Sequence, residues 1–161
     1  MPDILAEQLL KIIPKAAELY HRLILVVAPS GSGKTAAIQH AAKDIGTMVQ
    51  NVNLELSRRM LDLTENQRPR KVSRILDDIV NSTDSNTVLL DNIEILFETS
   101  LKIDPLRLLQ SLSRNKTIVA AWNGIVKDGN IYYAEPGHPE YRIYQCKDLI
   151  IVGTQQGDNN G

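Results

Sequence analysis

The stretch Leu23–Thr35, LILVVAPSGSGKT, joins an apolar run to a glycine-rich turn that ends in a Lys-Thr pair. A run rich in Val, Ile and Leu, followed by such a turn and then by a helical segment, is typical of the strand–loop–helix unit that binds phosphate. Gly31 and Gly33 allow backbone dihedrals that a side chain would hinder, so several N–H groups can point into one concavity. The following helix adds its positive N-terminus. The stretch therefore predicts a phosphate-binding loop, with Ala28 where the first glycine of the pattern usually stands.

The polar side chains at the end of this loop suit a nucleoside triphosphate with magnesium. Lys34 is placed to reach the β- and γ-phosphates, and the hydroxyl of Thr35 is placed to ligate Mg²⁺. The predicted ligands are therefore ATP and Mg²⁺. The residues expected to bind the nucleotide are Pro29, Ser30, Gly31, Ser32, Gly33, Lys34, Thr35 and Ala36.

Four further apolar runs follow at long spacing, and their composition suits strands buried on both faces. They are Thr47–Leu54, Asn86–Asp91, Lys116–Trp122 and Asp148–Val152. Helical patterns alternate with them at Thr35–Ile45, Arg70–Val80 and Pro105–Leu112. This alternation predicts a three-layer αβα fold of the α/β class, in which helices cover both faces of a mainly parallel, five-stranded sheet.

The remaining segments set the expected domain limits. Residues 1–22 predict an N-terminal helical segment with Asp3 as its N-cap and a break at Pro14, because proline interrupts helical hydrogen bonding. Residues 23–153 are expected to form the phosphate-loop domain, and the turn residues within 124–146 predict a hairpin or loop insertion there. Residues 154–161 are polar and predict a disordered tail.

The composition says more about the type of protein and its cellular location than about the chemistry of the site. The 161 residues carry a net charge of −1 and are 43% hydrophobic, which suits one ordinary globular domain. This near-neutral charge gives no support for nucleic-acid binding through bulk charge. The single cysteine, Cys146, cannot form an internal disulfide, and the first ten residues do not resemble a signal peptide. No apolar run is long enough to span a bilayer, so the sequence predicts a cytoplasmic protein without membrane contact.

A second polar position follows the third predicted strand, in the stretch Thr87–Glu94, TVLLDNIE. Asp91, at the carboxyl end of this strand, is expected to face the ligand edge of the sheet and to join Thr35 at the magnesium site. The next residue is Asn92, which can orient a water molecule but cannot take its proton. Glu94 is the candidate general base, and its alternative role is that of a solvated acid at the start of a helix.

The fourth predicted strand also leads to a polar side chain, in the stretch Thr117–Asn123, TIVAAWN. This stretch resembles the sensor 1 element of AAA+ ATPases, where an amide or hydroxyl at a strand end contacts the γ-phosphate or the attacking water. Asn123 is therefore a candidate catalytic residue that acts by hydrogen bonding. Its alternative role is that of a turn-capping amide before Gly124.

Arginines matter because they stabilise charge during phosphoryl transfer, and some ATPases obtain one from a neighbouring subunit. Arg114 and Arg142 are the candidate catalytic arginines, with Arg107 as a further option. Each could instead be an ordinary solvated residue. The basic group at 68–74 leaves DNA binding open through contacts to phosphate. The aromatic residues at 132–144 predict either packing onto the domain or a surface for a partner or a base.

The order of these elements resembles the αβα core of AAA+ ATPases without a helical lid. More closely, six stretches are similar to BrxF, the family of small P-loop proteins of type 3 bacteriophage-exclusion (BREX) systems. They are ILVVAPSGSGKT, NVNLELSRRMLDLTE, LLDNIEILF, DPLRLLQSLSRN, AAWNG and YAEPGHPEYR. The phosphate loop is generic, whereas NLELSRRMLDL and YAEPGHPEYR are not. The resemblance implies a role in bacterial antiviral defence beside a large ATPase, a methyltransferase and other system proteins.

Two functions fit these features of the sequence. The first is a Mg²⁺-dependent ATPase of phage defence that forms a homo-oligomer and completes its site with an arginine from a neighbour. The second is a nucleotide-gated module that binds DNA or a partner with little hydrolysis, and Asn92 in place of a glutamate favours it. A small-molecule kinase is a weaker third option, because the sequence has no clear arginine-bearing lid.

Overall fold

A parallel β-sheet with helices on both faces forms the centre of the molecule. The structure, a computed structural model, describes the backbone of residues 2–153 and the side chains of residues 4–153. The strands are β1 (Leu23–Ala28), β2 (Val49–Asn51), β3 (Thr87–Asp91), β4 (Thr117–Lys127), β5 (Asn130–Tyr133), β6 (Arg142–Gln145) and β7 (Ile150–Gly153). The helices are α1 (Pro2–Ala16), α2 (Lys34–Ile45), α3 (Val52–Arg59), α4 (Arg68–Val80) and α5 (Pro105–Leu112), and 3₁₀ turns span Ile93–Phe97 and Thr99–Leu101.

Five of these strands run parallel, in the order β2-β3-β4-β1-β7. The predicted α/β class, a mainly parallel sheet between two helical layers, is confirmed. Because the carboxyl ends of parallel strands meet at one edge, the residues that follow β1 and β3 lie on the same side of the sheet. The fold thus brings the phosphate loop and Asp91 to one edge.

Two hydrophobic cores, one on each face of the sheet, hold the layers together. On one face α1 and α2 pack against the sheet through buried residues that include Leu9, Ile38, Ala41, Ile24 and Val26. On the other face α3, α4 and α5 do the same through Leu56, Leu76, Leu109, Leu25 and Leu90. Each fully buried Leu, Ile or Val side chain stabilises the fold by about 1.5–3 kcal/mol relative to exposure. All six residues of β1 are buried, so the strand that leads into the phosphate loop is anchored from both sides.

An antiparallel extension grows from β4 beyond the parallel sheet. The predicted end of the fourth strand at Trp122 is wrong, because β4 runs on to Lys127 and pairs with β5, which pairs with β6. The turn between β4 and β5 has φ of 53° at Asp128 and 79° at Gly129, the combination that a type I′ hairpin turn requires. Residues 124–145 are called the hairpin extension below.

The second predicted strand is shorter than expected. β2 ends at Asn51 and not at Leu54, because the Asn51 side chain accepts a hydrogen bond of 3.0 Å from the N–H of Leu54. An asparagine that bonds in this way caps the N-terminus of a helix. The apolar residues after Asn51 therefore belong to α3, where Val52 and Leu56 are buried.

The first helix also differs from the prediction. It begins at Pro2, so Asp3 lies inside its first turn, and it continues through Pro14 to Ala16. Pro14 is exposed and lies in the last turn, where one missing hydrogen bond interrupts little of the helix. The predicted tail, residues 154–161, lies outside the described residues. Within residues 2–153 the structure contains no helix with the length and apolar character to cross a membrane.

Candidate functional site

The phosphate loop connects β1 to α2 at the carboxyl edge of the sheet. Gly31 has φ of 80° and Gly33 has φ of 94°, both in the left-handed region that glycine adopts without steric cost. Gly33 is also the N-cap of α2 and has no side chain to satisfy the first N–H groups of that helix. A helix that begins in this way offers its N–H groups to an anion.

Lys34, the first residue of α2, is buried at the base of the loop. Its ammonium donates hydrogen bonds to the carbonyl oxygens of Ala28 and Pro29, each at 2.9 Å. Burial lowers the pKa of Lys34, while the carboxylates of Glu94 and Asp91 act in the opposite direction. A phosphate oxygen is a stronger acceptor for an ammonium than a neutral carbonyl. The lysine is thus positioned beside the place where phosphates would be bound.

Thr35 and Asp91 are brought together by the fold. The hydroxyl of Thr35 donates to Oδ2 of Asp91 at 2.8 Å, and Asp91 is buried at the end of β3. Mg²⁺ takes few protein ligands, keeps several waters and accepts phosphate oxygens. Within residues 4–153 no group of three His, Cys, Asp or Glu residues could hold a metal by itself. The hydroxyl–carboxylate pair therefore fits a magnesium ion that arrives with a triphosphate.

Asn92 turns the chain back toward β4. It has φ of 56° and ψ of 50°, a left-handed conformation that asparagine adopts more readily than most residues. Its N–H donates to Oδ1 of Asp91 at 2.8 Å, which fixes the turn. The 3₁₀ segment that starts at Ile93 then carries Glu94 toward Asn123, whose Nδ2 donates to Oε2 of Glu94 at 2.6 Å.

The position of Asn123 explains how this contact forms. Asn123 pairs in register with Ala28, the last residue of β1, and therefore stands beside the start of the phosphate loop. It lies inside β4 and not at a turn, so its alternative role as a turn-capping residue is wrong. Burial raises the pKa of Glu94, and Asp91 adds to this effect, whereas a backbone hydrogen bond and Lys34 oppose it. A carboxylate with a raised pKa is a stronger base once it is ionised.

The polar groups surround a cavity of about 320 Å³ above the loop. It is lined by Ser30, Gly31, Gly33, Lys34, Thr35, Asp91, Asn92, Glu94 and Asn123. A larger, open groove of about 1410 Å³ beside α2 includes Thr35 and Ala36 but none of the carboxylates named above. We place the candidate site in the smaller cavity because the ionisable and amide side chains converge there.

The other predicted site residues take different places. The carbonyl of Pro29 accepts hydrogen bonds from Lys34 and from the hydroxyl of Ser32, so these two residues shape the loop from outside the cavity lining. Ala36 lies on α2 and lines the open groove.

The structure brings neither predicted catalytic arginine into the cavity of its own chain. The guanidinium of Arg114 lies 5.1 Å from the ring centroid of Tyr20, near the start of β4 and thus at the opposite edge of the sheet. Arg142 donates to the carbonyl oxygen of Ile103 at 3.1 Å and anchors β6. A role for either arginine would require a neighbouring subunit or a rearrangement.

A second cavity of about 260 Å³ adjoins the first and shares Asn92 and Glu94 with it. Its other lining residues are Asn53 of α3, Ile95 of the 3₁₀ segment, Glu98 directly after that segment, and Glu140 of the loop before β6. Nothing in the sequence predicts Asn53, Glu98 and Glu140 at this place. They belong to no motif, and only the fold brings them together.

The fold and the geometry of this site define the class: the chain is a P-loop NTPase-like α/β domain. No family model matches the chain, and no curated protein matches it. One solved structure that does is that of AMPPCP-bound DnaA from Aquifex aeolicus, with 14% sequence identity and a TM-score of 0.45. The match covers 76% of this chain and 40% of that chain, so this chain spans about two fifths of the DnaA chain. The class rests on the strand order of this chain and on its phosphate loop.

Proposed function

We propose that the chain binds Mg²⁺–ATP in the cavity above the phosphate loop and hydrolyses it. The observation that carries this proposal is the 2.8 Å hydrogen bond between Thr35 and Asp91, beside the buried ammonium of Lys34. A hydroxyl and a carboxylate that meet next to a lysine and a helix N-terminus are the groups that hold a metal–triphosphate. Loop residues Pro29 to Ala36 would surround the phosphates.

Each polar side chain of the site then has a proposed role. Bound Mg²⁺ would neutralise charge on the phosphates, with Thr35 and Asp91 as its protein ligands. Lys34 would exchange its two carbonyl acceptors for phosphate oxygens. Glu94 is the proposed general base, and Asn123 holds its carboxylate at 2.6 Å. Asn92 lines the same cavity and is proposed to orient the attacking water.

A neighbouring subunit is proposed to complete the site. No arginine lines the cavity among the residues that the structure describes, although charge develops on the phosphoryl group during transfer. Arg114 and Arg142 are the proposed donors in trans. If so, turnover per subunit rises with protein concentration, because assembly supplies the arginine.

The biological setting is proposed from the resemblance to BrxF. The stretches NLELSRRMLDL and YAEPGHPEYR carry that resemblance outside the generic loop. We propose that the protein acts in the cytoplasm in a BREX-type phage-defence system, together with other proteins of that system. The test is the efficiency of phage plating on cells that carry the whole system with wild-type protein, Lys34→Ala or no protein. Equal protection in all three strains would contradict the role in defence.

The enzymatic proposal is tested by ATP turnover at rising protein concentration, with and without Mg²⁺. Lys34→Ala is expected to abolish nucleotide binding, because it removes the buried charge beside the loop. Lys11→Ala, on the exposed side of α1, is the matched control and should behave as wild type. Absence of Mg²⁺-dependent turnover at every concentration would exclude an intrinsic ATPase.

The second candidate function is a nucleotide-gated module that binds DNA or a partner with little hydrolysis. The residue after Asp91 is an asparagine whose backbone is fixed by a 2.8 Å bond to that aspartate, and it cannot take a proton from water. Basic residues of α4 at 68–74 offer a candidate contact to DNA phosphate. Tight ATP binding without turnover, together with ATP-dependent DNA binding, would favour this function. Rapid hydrolysis by the isolated protein would favour the ATPase.

A further inference from the structure

The outer side of β6 is a free edge of the hairpin extension. β6 pairs with β5 and with no other strand within residues 2–153. A free strand edge presents unpaired N–H and C=O groups that can pair with another chain. Which groups these are can be derived from the register of β5 and β6.

Antiparallel neighbours alternate between pairs that exchange backbone hydrogen bonds and pairs that do not. The N–H of Cys146 donates to the carbonyl of Gly129 at 2.9 Å, next to the register pairs of β5 and β6. Counting back along β6 from Cys146, the backbone N–H and C=O of Tyr144 face β5, whereas those of Ile143 do not. The N–H and C=O of Ile143 therefore point outward, away from β5.

The exposed face of the hairpin extension is apolar up to this edge. Ile125, Tyr132 and Ile143 lie directly opposite one another in the register of the three strands, so their side chains share one face. Ile125 is 49% exposed and Ile143 is 46% exposed. The opposite face is fixed to the domain, because Arg142 donates to Ile103 and the hydroxyl of Tyr144 donates to Asp104 at 2.9 Å.

The usual protection of a free edge is missing from this strand. Natural edge strands carry lysines, prolines or bulges that prevent pairing with other chains. The residues of β6 on the exposed face are Ile143 and Gln145, which are uncharged, and β6 contains no proline. The one charge of the strand, on Arg142, lies on the opposite face and is hydrogen-bonded to Ile103. The edge is thus open to pairing.

We propose that β6 pairs antiparallel with β6 of a second copy of this chain, about a two-fold axis that places Ile143 opposite Ile143. Paired residues of a continuous sheet must lie on the same face, which excludes pairing Ile143 with Tyr144, and among the remaining registers this one places the apolar Ile143 side chains opposite each other. It also uses the outward N–H and C=O of Ile143, which exchange two hydrogen bonds across the axis. Such a contact is isologous and closes at a dimer.

The residues on and next to β6 suit pairing with a second copy of the same chain. Pairing of the two edges extends the row of Ile125, Tyr132 and Ile143 into one apolar row across six strands. Glu140 precedes β6 and Lys147 follows it, and in this register Glu140 of one copy stands opposite Cys146 of the other, one residue from Lys147, so opposite charges are neighbours at both ends. The net charge of −1 opposes self-association very little. None of the residues in the apolar row lines the nucleotide cavity, so the dimer does not depend on ATP.

The test is the mass of the protein by sedimentation equilibrium without nucleotide, from low to high micromolar concentration. Wild type is expected to dimerise. Ile143→Arg is expected to weaken the dimer by about tenfold or more, because two like charges would stand directly opposite each other. Val126→Arg is the matched control, since Val126 is 48% exposed on the same hairpin but lies on the other face and away from the edge. Circular dichroism verifies that both variants are folded.

Cross-linking provides a second readout. Ile143→Cys in a Cys146→Ser background is expected to form a disulfide-linked dimer on oxidation, because directly opposed residues of such a pair have Cα atoms about 5.5 Å apart. Val126→Cys in the same background should stay monomeric on a denaturing gel. A folded wild type that is monomeric at all concentrations would overturn the proposal, as would a dimer that Val126→Arg disrupts and Ile143→Arg does not. ATP binding by Ile143→Arg, measured separately, should equal that of wild type, so failure of the nucleotide site cannot be confused with failure of the dimer.

Discussion

At the scale of single residues, the contact between Asn123 and Glu94 links the 3₁₀ segment that follows Asp91 to β4. The amide donates to the carboxylate at 2.6 Å, so the two side chains restrain each other. A general base must lie within hydrogen-bond reach of the water it deprotonates. Glu94 and Asn92 both line the cavity, and their proposed roles are those of the general base and of the group that orients the water.

We therefore predict that Glu94→Gln lowers ATP turnover by about 100-fold or more, the usual contribution of a general base. The amide keeps the size and most hydrogen bonds of the carboxylate, so ATP affinity should change little. Turnover and equilibrium nucleotide binding are measured together. Glu98→Gln is the control, because Glu98 lines the neighbouring cavity and not the one above the phosphate loop. Similar losses in both variants would show that Glu94 has no special role.

The raised pKa of Glu94 predicts the pH dependence of the reaction. Burial favours the protonated carboxyl, so the base is formed only above the usual glutamate value of 4.5. The ratio kcat/KM should therefore rise with pH through a midpoint above that value, and Glu94→Gln should lack this limb. The same shift means that the folded state holds the proton more tightly than the unfolded state. Stability from this group is present at low pH and is lost as pH rises through the folded-state pKa, which urea unfolding at several pH values would measure.

At the scale of elements, Gly124 allows β5 to approach β4. A Cβ atom at this position would lie 1.9 Å from the carbonyl oxygen of Tyr132 and 3.0 Å from Nε1 of Trp122. The same carbonyl accepts the indole N–H of Trp122 at 3.1 Å. The missing side chain at Gly124 thus makes room for the contact that fixes the hairpin extension to the core.

Gly124→Ala is predicted to destabilise the protein by about 1–3 kcal/mol or more, the cost of overpacking a fixed contact. The measurement is the free energy of unfolding by urea, with Trp122 fluorescence as the probe. Ile125→Ala is the control, because its side chain is 49% exposed on the same strand and its loss should cost little. An unchanged stability of Gly124→Ala would mean that β5 can shift without loss.

The sequence predicts an element well where neighbouring residues alone determine its structure. β1, the loop and α2 follow from the apolar run and from two glycines that adopt positive φ. The length of β4 could not be predicted, because Asn123-Gly124 has the composition of a turn while the pairing partner of the strand lies in the hairpin. The 2.6 Å contact of Glu94 was also beyond prediction, since it depends on the left-handed backbone of Asn92 and on the register of β4.

At the scale of the whole molecule, one aromatic cluster joins the hairpin extension to the segment that carries Glu94. Phe97, the last residue of that 3₁₀ segment, is fully buried and stacks on Tyr133 of β5 with ring centroids 3.6 Å apart. It also meets the edge of Trp122 in β4 at 5.2 Å. Side chains from three elements therefore fix the end of the segment that begins beside Asp91.

The last prediction follows from this connection. Phe97→Leu keeps an apolar side chain but removes two ring contacts, each worth about 0.5–1.5 kcal/mol beyond buried area. We expect lower stability and, in the folded protein, a kcat that falls several-fold with nearly unchanged ATP affinity, because Glu94 loses its fixed position while the phosphate loop keeps its own.

Leu9→Ala separates this effect from a general loss of stability. Leu9 is buried in the core on the other face of the sheet, so its loss should cost about 2–5 kcal/mol without touching the Glu94 segment. Stability from urea unfolding is compared with kcat and ATP affinity, all measured where both variants are folded. If Leu9→Ala lowers kcat as much as Phe97→Leu does, the rate follows overall stability and the aromatic cluster has no positioning role. If only Phe97→Leu lowers kcat, packing of the hairpin extension determines the position of Glu94, the proposed general base.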